Sequence, residues 1–367
     1  MMDHKEVIIV GGGPAGLAAA VALRAQNFCV TVVDAAQPPI EKVCGEGLLP
    51  ETLESLRAIG VKPKSLPGVP FRGIRYIANK THVEAKFPHG HALGIRRADL
   101  HQSLLTAATD AGAEFLWKTR VDGLEGDGIR VAGQLMRAQW IIGADGHASQ
   151  MRKWAGLVNH SSSLHRFAFR RHFRVKPWTD LLEVHWSARA QAYVTVVGAE
   201  EVCVVVMSSD SRLRMHEALN DFPELASRLK GGATIDKERG AVSRNHVLRR
   251  VTRERVALLG DASGTVDAIT GEGLGLAFQQ VRALSDALER GDLSGYEAAH
   301  RSLRRKPQFM AKLLLTLGGT PLQQRAMSVL ATRPRIFERL LAVHAANGSA
   351  LEIAGAGLRL GWGLLTA

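Results

Sequence analysis

Apolar and polar positions follow two rhythms along this chain, and the rhythms divide it before any motif is considered. The run Val7-Ile8-Ile9-Val10 reads as a short buried strand and residues 15–26 as a helix. Residues 28–33, Phe-Cys-Val-Thr-Val-Val, read as a second strand ending at Asp34. Strand, helix and strand in this order form a β-α-β unit, which requires a parallel sheet with a right-handed crossover. Residues 38–70 are rich in Pro and Gly, with one helix expected at 50–59. Residues 98–111 read as a helix, with Asp99 in its first turn and Leu100, Leu104 and Leu105 at helical spacing. Strands are expected near 114–121 and 128–138 and at Trp140–Gly143.

From about 164 to 209 the period shortens. Arg166–Val175, Leu181–Ser187, Ala192–Val197 and Val202–Met207 are strand-like and are joined by turns such as Gly198-Ala199-Glu200. Strands joined at hairpin length predict an antiparallel sheet and hence a second domain. A buried strand returns at 256–260, followed by a strong helix at 273–289. Beyond 300 the pattern is helical to the end, with leucines such as Leu313, Leu314, Leu330, Leu340 and Leu341 set among basic residues. Amphipathic helices packed on the body are the first reading of this stretch. A surface that meets a membrane or an oily substrate is the second.

The chain's 367 residues exceed one small core, and 46% hydrophobic with 22% charged residues is ordinary for a soluble globular protein. The formal net charge of +12 points toward anions: dinucleotide phosphates, an acidic carrier or an anionic membrane face. The basic residues are dispersed and aromatics are only 5%, so nucleic acid is not an expected partner. Cys29, Cys44 and Cys203 are odd in number and widely spaced, which argues against a disulfide framework or zinc site and toward a reducing cytoplasm. No metal-ligand spacing occurs among the 14 His, so no metal is expected. Met1–Glu6 sets Asp3 and Glu6 against Lys5, so the positive start of a secretory signal is not expected. No uncharged apolar stretch of about twenty residues occurs, and no spanning helix is expected.

Gly11-x-Gly13-x-x-Gly16 lies between the first strand and the first helix, the context that gives this otherwise weak spacing its meaning. Gly11 permits the tight turn, Gly13 lets backbone approach a pyrophosphate, and Gly16 lets helix and strand pack closely. The helix N-terminus favours the negative charge. Gly11, Gly13, Pro14, Ala15 and Gly16 are therefore expected to hold a dinucleotide, with Asp34 on the adenosine ribose. Two later strands end alike: Trp140-Ile-Ile-Gly-Ala-Asp145-Gly146, and Arg255-Val-Ala-Leu-Leu-Gly260-Asp261-Ala262. A carboxylate at such a strand end is well placed for a polyol such as ribityl, which points to FAD rather than NAD. In Thr270-Gly271-Glu272-Gly273-Leu274 the glycines permit close approach to a flat ring. The helix after them favours the negative charge of a reduced flavin. Gly271, Gly273 and Leu274 join Asp145, Gly260 and Asp261 as expected cofactor contacts.

Together these motifs resemble the p-hydroxybenzoate hydroxylase-like flavoprotein superfamily over about residues 5–290. Lys42-Val-Cys44-Gly45-Glu46-Gly47-Leu48 and Gly260–Gly273 are similar to the geranylgeranyl reductase branch. Aromatic hydroxylases usually carry His where this chain has Gly264, and the reductases usually carry Pro where it has Ala268. The resemblance implies an α/β fold: a Rossmann-like FAD-binding domain, an inserted antiparallel β-sheet substrate domain and C-terminal helices. On this plan residues 1–75, 96–160 and 249–300 build the FAD domain, and 76–95 and 161–248 the substrate domain. Residues 301–367 form the C-terminal helical region. The resemblance also places Arg96 or Arg97 on the flavin's phosphates or ribityl, and Arg97 is taken. It implies hydride transfer from flavin N5 to a carbon–carbon double bond of a hydrophobic, isoprenoid- or polyketide-like substrate, with NAD(P)H as electron donor. The alternatives are a flavin-dependent monooxygenase and a nonenzymatic flavin-binding protein. Cys44, Glu46 and Glu272 are the candidate catalytic residues, with Asp267 also near the ring. His185 or Trp186 should face the substrate, while His172 and His246 read as structural.

Overall fold

The structure is a computed structural model that describes residues 5–345 apart from 80, 159, 160 and 319. Residues 346–367 of the expected C-terminal helical region, and residues 1–4, lie outside the described residues.

The first strand, Glu6–Val10, is central to a six-stranded sheet. The order across it is Thr252–Arg253, Val256–Leu258, Trp140–Gly143, Glu6–Val10, Cys29–Val33 and Glu114–Leu116. Every joint is parallel except the edge pair Thr252–Arg253 with Val256–Leu258. These strands read as largely apolar runs because they are buried in one core with the helices Pro14–Ala25 and Gly273–Glu289, which pack on each other, and with Val121 and Ile129 from the segment that follows the last strand. The register brings the strand ends level: Val10 lies opposite Gly143 on one side and Val33 on the other, and Gly143 lies opposite Leu258. The hydrogen bonds Gly11 N to Val33 O (2.8 Å), Ala144 N to Val10 O (2.7 Å) and Leu259 N to Gly143 O (2.9 Å) carry the alignment one residue past the strand ends. Motifs more than a hundred residues apart in sequence thereby open at one sheet edge.

Gly11 has φ +116°, in the region that favours glycine. A Cβ on Gly16 would stand 1.9 Å from the Gly11 carbonyl oxygen, so the helix can approach the strand only with hydrogen at that position.

The second large sheet has eight strands. Its path runs Ala233–Thr234, Ser161–Arg174, Glu201–Ser208, Ala190–Gly198, Leu182–Trp186, Gly73–Ala78 and Thr81–Lys86, with Arg239–His246 also on Ser161–Arg174. The sheet is mixed, not wholly antiparallel as the hairpin-length joins predict: Leu182–Trp186 pairs in parallel with Gly73–Ala78. Hairpin length constrains only strands adjacent in sequence, and this joint is made by strands about a hundred residues apart. Both faces are covered. Val202, Val204 and Val206 pack toward the helices Met215–Ala218 and Pro223–Leu229, while Cys203, Val205 and Met207 face the other way. Ala92–Gly94 leaves this sheet and pairs instead with Gly47–Leu48 and Val69–Phe71.

The stretch expected as two strands at 114–138 holds four. Glu114–Leu116 joins the parallel sheet, and Val121–Glu125, Gly128–Val131 and Gln134–Arg137 form an antiparallel meander. Its turns use left-handed residues at Gly126, Ala132 and Gly133. The described C-terminal part is three helices, Ser294–Leu317, Pro321–Thr332 and Pro334–Ala345. Pro321 and Pro334 each open a helix, where the missing N–H costs nothing. The last two pack on the strand Thr81–Lys86 and share a core with Phe71, Ile74 and Trp186.

Candidate active site

A cavity of about 990 Å³ lies between the parallel-sheet edge and the eight-stranded sheet. At the sheet edge Gly11, Gly13, Pro14, Ala15, Asp34 and Arg97 line it, joined by Asp145, Gly260, Asp261, Gly271, Gly273 and Leu274. Gly16 does not line it and acts in packing. Of the expected cofactor contacts the cavity thus gathers all but that one.

These groups fit a flavin nucleotide. A Cβ on Gly13, Gly45, Gly146, Gly271 or Gly273 would project without meeting any atom within 4 Å, although each would stand in or beside the cavity. Arg97 is buried, with Nε lacking a hydrogen-bond partner, and burial lowers its pKa. Its own N–H donates to Glu46 Oε1 at 2.9 Å. Arg96 is instead ion-paired with Glu201. The helix Gly273–Glu289 starts at the cavity wall, so the unpaired N–H groups of its first turn favour negative charge there.

The carboxylates prove to be anchored by protein. Asp34 accepts from Gly12 N and Ala36 N, both at 2.7 Å. Asp145 accepts from Ser149 Oγ (2.6 Å), Gln150 N (2.7 Å) and Met151 N (3.0 Å), so it caps the helix Gln150–Trp154. Asp261 pairs with Lys42 Nζ at 2.6 Å; burial works against its charge, but Lys42 prevails and its pKa is lowered.

Cys44 and Glu46 also line the cavity. Burial pushes the Cys44 thiol up, so it is held protonated. Glu46 has φ +58° and belongs to a buried network. Its Oε1 accepts from Arg170 Nη1 at 2.9 Å, and its Oε2 lies 2.7 Å from His172 Nε2. His172 Nδ1 in turn lies 2.8 Å from Asp236 Oδ2, whose side chain is 25% exposed. Burial disfavours the His172 imidazolium, but Glu46 and Asp236 on either side outweigh it and raise the pKa. The same group brings Cys203 within metal-ligand reach of Glu46 and His172. Arg170 and the Arg97 N–H already engage Glu46 Oε1, which makes this an acid–base cluster and not a cation cage. His172 reads as structural in sequence, and Arg170 and Asp236 carry no signal there. The one available sign is alternation: Arg166, Ala168, Arg170 and His172 form one buried face of Ser161–Arg174.

Glu272 departs from expectation. It does not line the main cavity but a recess of about 30 Å³ with Pro307, near Glu51 and Lys306. It stands just before the first helical residue, and its recess adjoins the main cavity through Gly260, Asp261 and Gly273. Asp267 caps the turn Ala268–Thr270 by accepting from Ile269 N at 3.0 Å. His185 points to the far face, 3.1 Å from Glu183, and Trp186 lines the cavity.

Away from the glycines the cavity is mainly apolar, with Gln323 and Ser243 as polar exceptions. Ile74, Tyr76, Leu182, Val184, Trp186, Tyr193, Val205 and Met207 form its sheet wall. The C-terminal helices close it with Met310, Leu313, Leu314, Met327, Leu330, Phe337, Leu340 and Leu341.

Comparison with known proteins agrees with this geometry. The profile of the FAD binding domain family matches residues 4–291. Menaquinone reductase of Mycolicibacterium smegmatis is 24% identical over 83% of this chain and 81% of its own length. Digeranylgeranylglycerophospholipid reductase of Thermoplasma volcanium is 27% identical over 80% and 81%. Relatives also include monooxygenases. A flavoprotein/dehydrogenase structure from Cytophaga hutchinsonii superposes with a TM-score of 0.80 at 17% identity, covering 93% of this chain and 92% of that one. The chain belongs to the FAD binding domain family, the p-hydroxybenzoate hydroxylase-like group of FAD-dependent oxidoreductases.

Proposed function

We propose that the protein reduces a carbon–carbon double bond of a long hydrophobic, isoprenoid- or polyketide-like substrate. The observation that carries this reading is the single chamber, polar and glycine-lined at the sheet edge and predominantly apolar for the rest of its extent. Relatives named for menaquinone and for digeranylgeranylglycerophospholipid support the isoprenoid class. Gly264, with φ +107°, supports reduction over oxygenation: a Cβ there would lie 2.6 Å from the His246 carbonyl oxygen, so the loop as built strains any side chain at the position where the hydroxylases carry His.

FAD, when bound, supplies the hydride from N5 after reduction by NAD(P)H. Arg97 and the first turn of Gly273–Glu289 hold its negative charge, and Asp34, Asp145 and Asp261, already fixed by their own partners, orient it. The apolar walls hold the double bond in a dry setting. Glu46, His172 and Asp236 form the proton route: His172 receives a proton at Nδ1 from the solvent side and passes one from Nε2 to Glu46 Oε2 at the chamber wall. Cys44, held protonated by burial, accepts from the Glu46 backbone N–H at 3.4 Å and is a packing group beside this route.

Anaerobic incubation of the yellow protein with NADPH and a long-chain isoprenoid quinone or lipid tests the reading. The expected result is flavin reoxidation with a product two hydrogens heavier. Flavin that stays reduced with every unsaturated lipid supplied would overturn it, and oxygen uptake coupled to substrate addition would give the monooxygenase reading instead.

A further inference from the structure

The chain's positive charge is not dispersed in the folded protein. Between residues 301 and 342 there are nine Lys and Arg and a single acid, Glu338. Seven of these cations are exposed: Arg301, Arg305, Lys312, Arg325, Arg333, Arg335 and Arg339. None of the seven forms an ion pair among the described residues. Elsewhere on the surface many cations are matched, as in Arg189 with Asp221 or Arg75 with Glu84.

The same helices carry two of the five exposed large apolar side chains among the described residues, Phe309 at 53% and Leu322 at 40%. Their positions are ordered. On Ser294–Leu317 the one-turn steps Arg305, Phe309, Leu313 run from an exposed cation through an exposed ring to a chamber-lining leucine. On Pro321–Thr332, Leu322 lies one turn from chamber-lining Ala326, and Arg325 stands about 60° to its other side. Each helix thus passes from chamber wall to exposed apolar residue to cation, the sequence of environments that an interfacial helix meets between acyl chains and anionic headgroups.

We propose that the C-terminal helices dock on an anionic lipid surface, with Phe309 and Leu322 entering the acyl boundary and Arg305, Arg325, Arg333 and Arg335 on the headgroups. Charge complementarity and the paired apolar residues select lipid over an acidic protein or a nucleic acid, which needs no exposed apolar side chain beside the cations. Docking brings a membrane-dissolved substrate to helices that already line the chamber. It deepens the lipid-substrate reading and rests on that reading only for what the chamber takes up. No described helix is long and apolar enough to cross a membrane, so the contact is peripheral.

The test is sedimentation of the FAD-loaded full chain with phosphatidylglycerol–phosphatidylcholine vesicles and with phosphatidylcholine vesicles, at low and high salt. Binding to the anionic vesicles alone is expected, weakening with salt. At about fivefold per cation, R325E/R333E/R335E should lower partitioning by at least about 100-fold, and F309S by about 10-fold, with the flavin absorbance unchanged. Equal binding to both vesicle types, unaltered binding by the triple variant, or retention on a DNA duplex without vesicle binding would overturn docking. A yellow protein that reduces a short-chain quinone but ignores vesicles sinks the docking alone. One that sediments with vesicles but turns over no unsaturated lipid sinks the substrate reading alone.

Discussion

The two ends of the chamber are built by opposite means. At the parallel-sheet edge, recognition rests on backbone: φ angles at Gly11 and Gly271, helix N-termini, and carboxylates such as Asp145 that serve the protein's own N–H groups. At the apolar end it rests on side chains from the eight-stranded sheet and three helices. The first construction tolerates almost no change at a few positions. The second spreads its energy so that any one residue is replaceable at moderate cost. A rigid nucleotide holder joined to a more adaptable wall explains how relatives of one fold come to include both reductases and monooxygenases.

The sharpest way to break this contrast is at the glycines. Gly16→Val forces a collision with the Gly11 carbonyl and should unfold the FAD domain, seen as loss of the cooperative circular-dichroism melt. Gly13→Val has open space around its Cβ, so it should melt as a folded protein yet emerge colourless from gel filtration. A yellow Gly13→Val protein would remove the first motif from the flavin site. Next in size, His172→Gln should slow acceptor reduction about 100-fold while leaving flavin reduction by the nicotinamide donor unchanged, read by stopped-flow absorbance. Equal slowing of both half-reactions would make His172 a structural residue. At the apolar end, Met327→Asp should raise KM for a long-chain substrate at least about 10-fold with flavin retained, since it places a charge on the chamber wall.

The smallest effect is on stability. His172 is raised in the folded protein by Glu46 and Asp236, against burial and the nearby Arg170. Its ion pairs therefore contribute in full below the ordinary imidazole pKa of 6.5, and the contribution is lost as pH rises through the higher folded value. The Tm of wild type should fall over that window more than that of His172→Gln. Parallel Tm profiles would show that the cluster does not titrate there.

How legible each region is in the sequence depends on its construction. Gly11–Gly16, Gly143–Gly146 and Gly260–Ala262 are local spellings of local geometry, and the cavity gathers them at one edge. Glu46 stands out in its loop, but its partners Arg170, His172 and Asp236 lie more than a hundred residues on, and nothing local marks a strand charge as buried. Glu272 shows the reverse: a suggestive neighbour in sequence that the helix start points toward Glu51 and Lys306. The C-terminal leucines announce amphipathic helices without telling what their apolar faces will meet.

By itself the sequence determined the β-α-β start, the turns that must be glycine and the helical pattern after residue 300, because each is set by neighbours within a few residues. Only the tertiary structure decided that Glu46 meets Arg170 and His172, that Trp186 and not His185 faces the chamber, and that the last helices form its wall. Those outcomes depend on strand register and on which surfaces meet, and the chain encodes them only through the collective burial of its apolar faces.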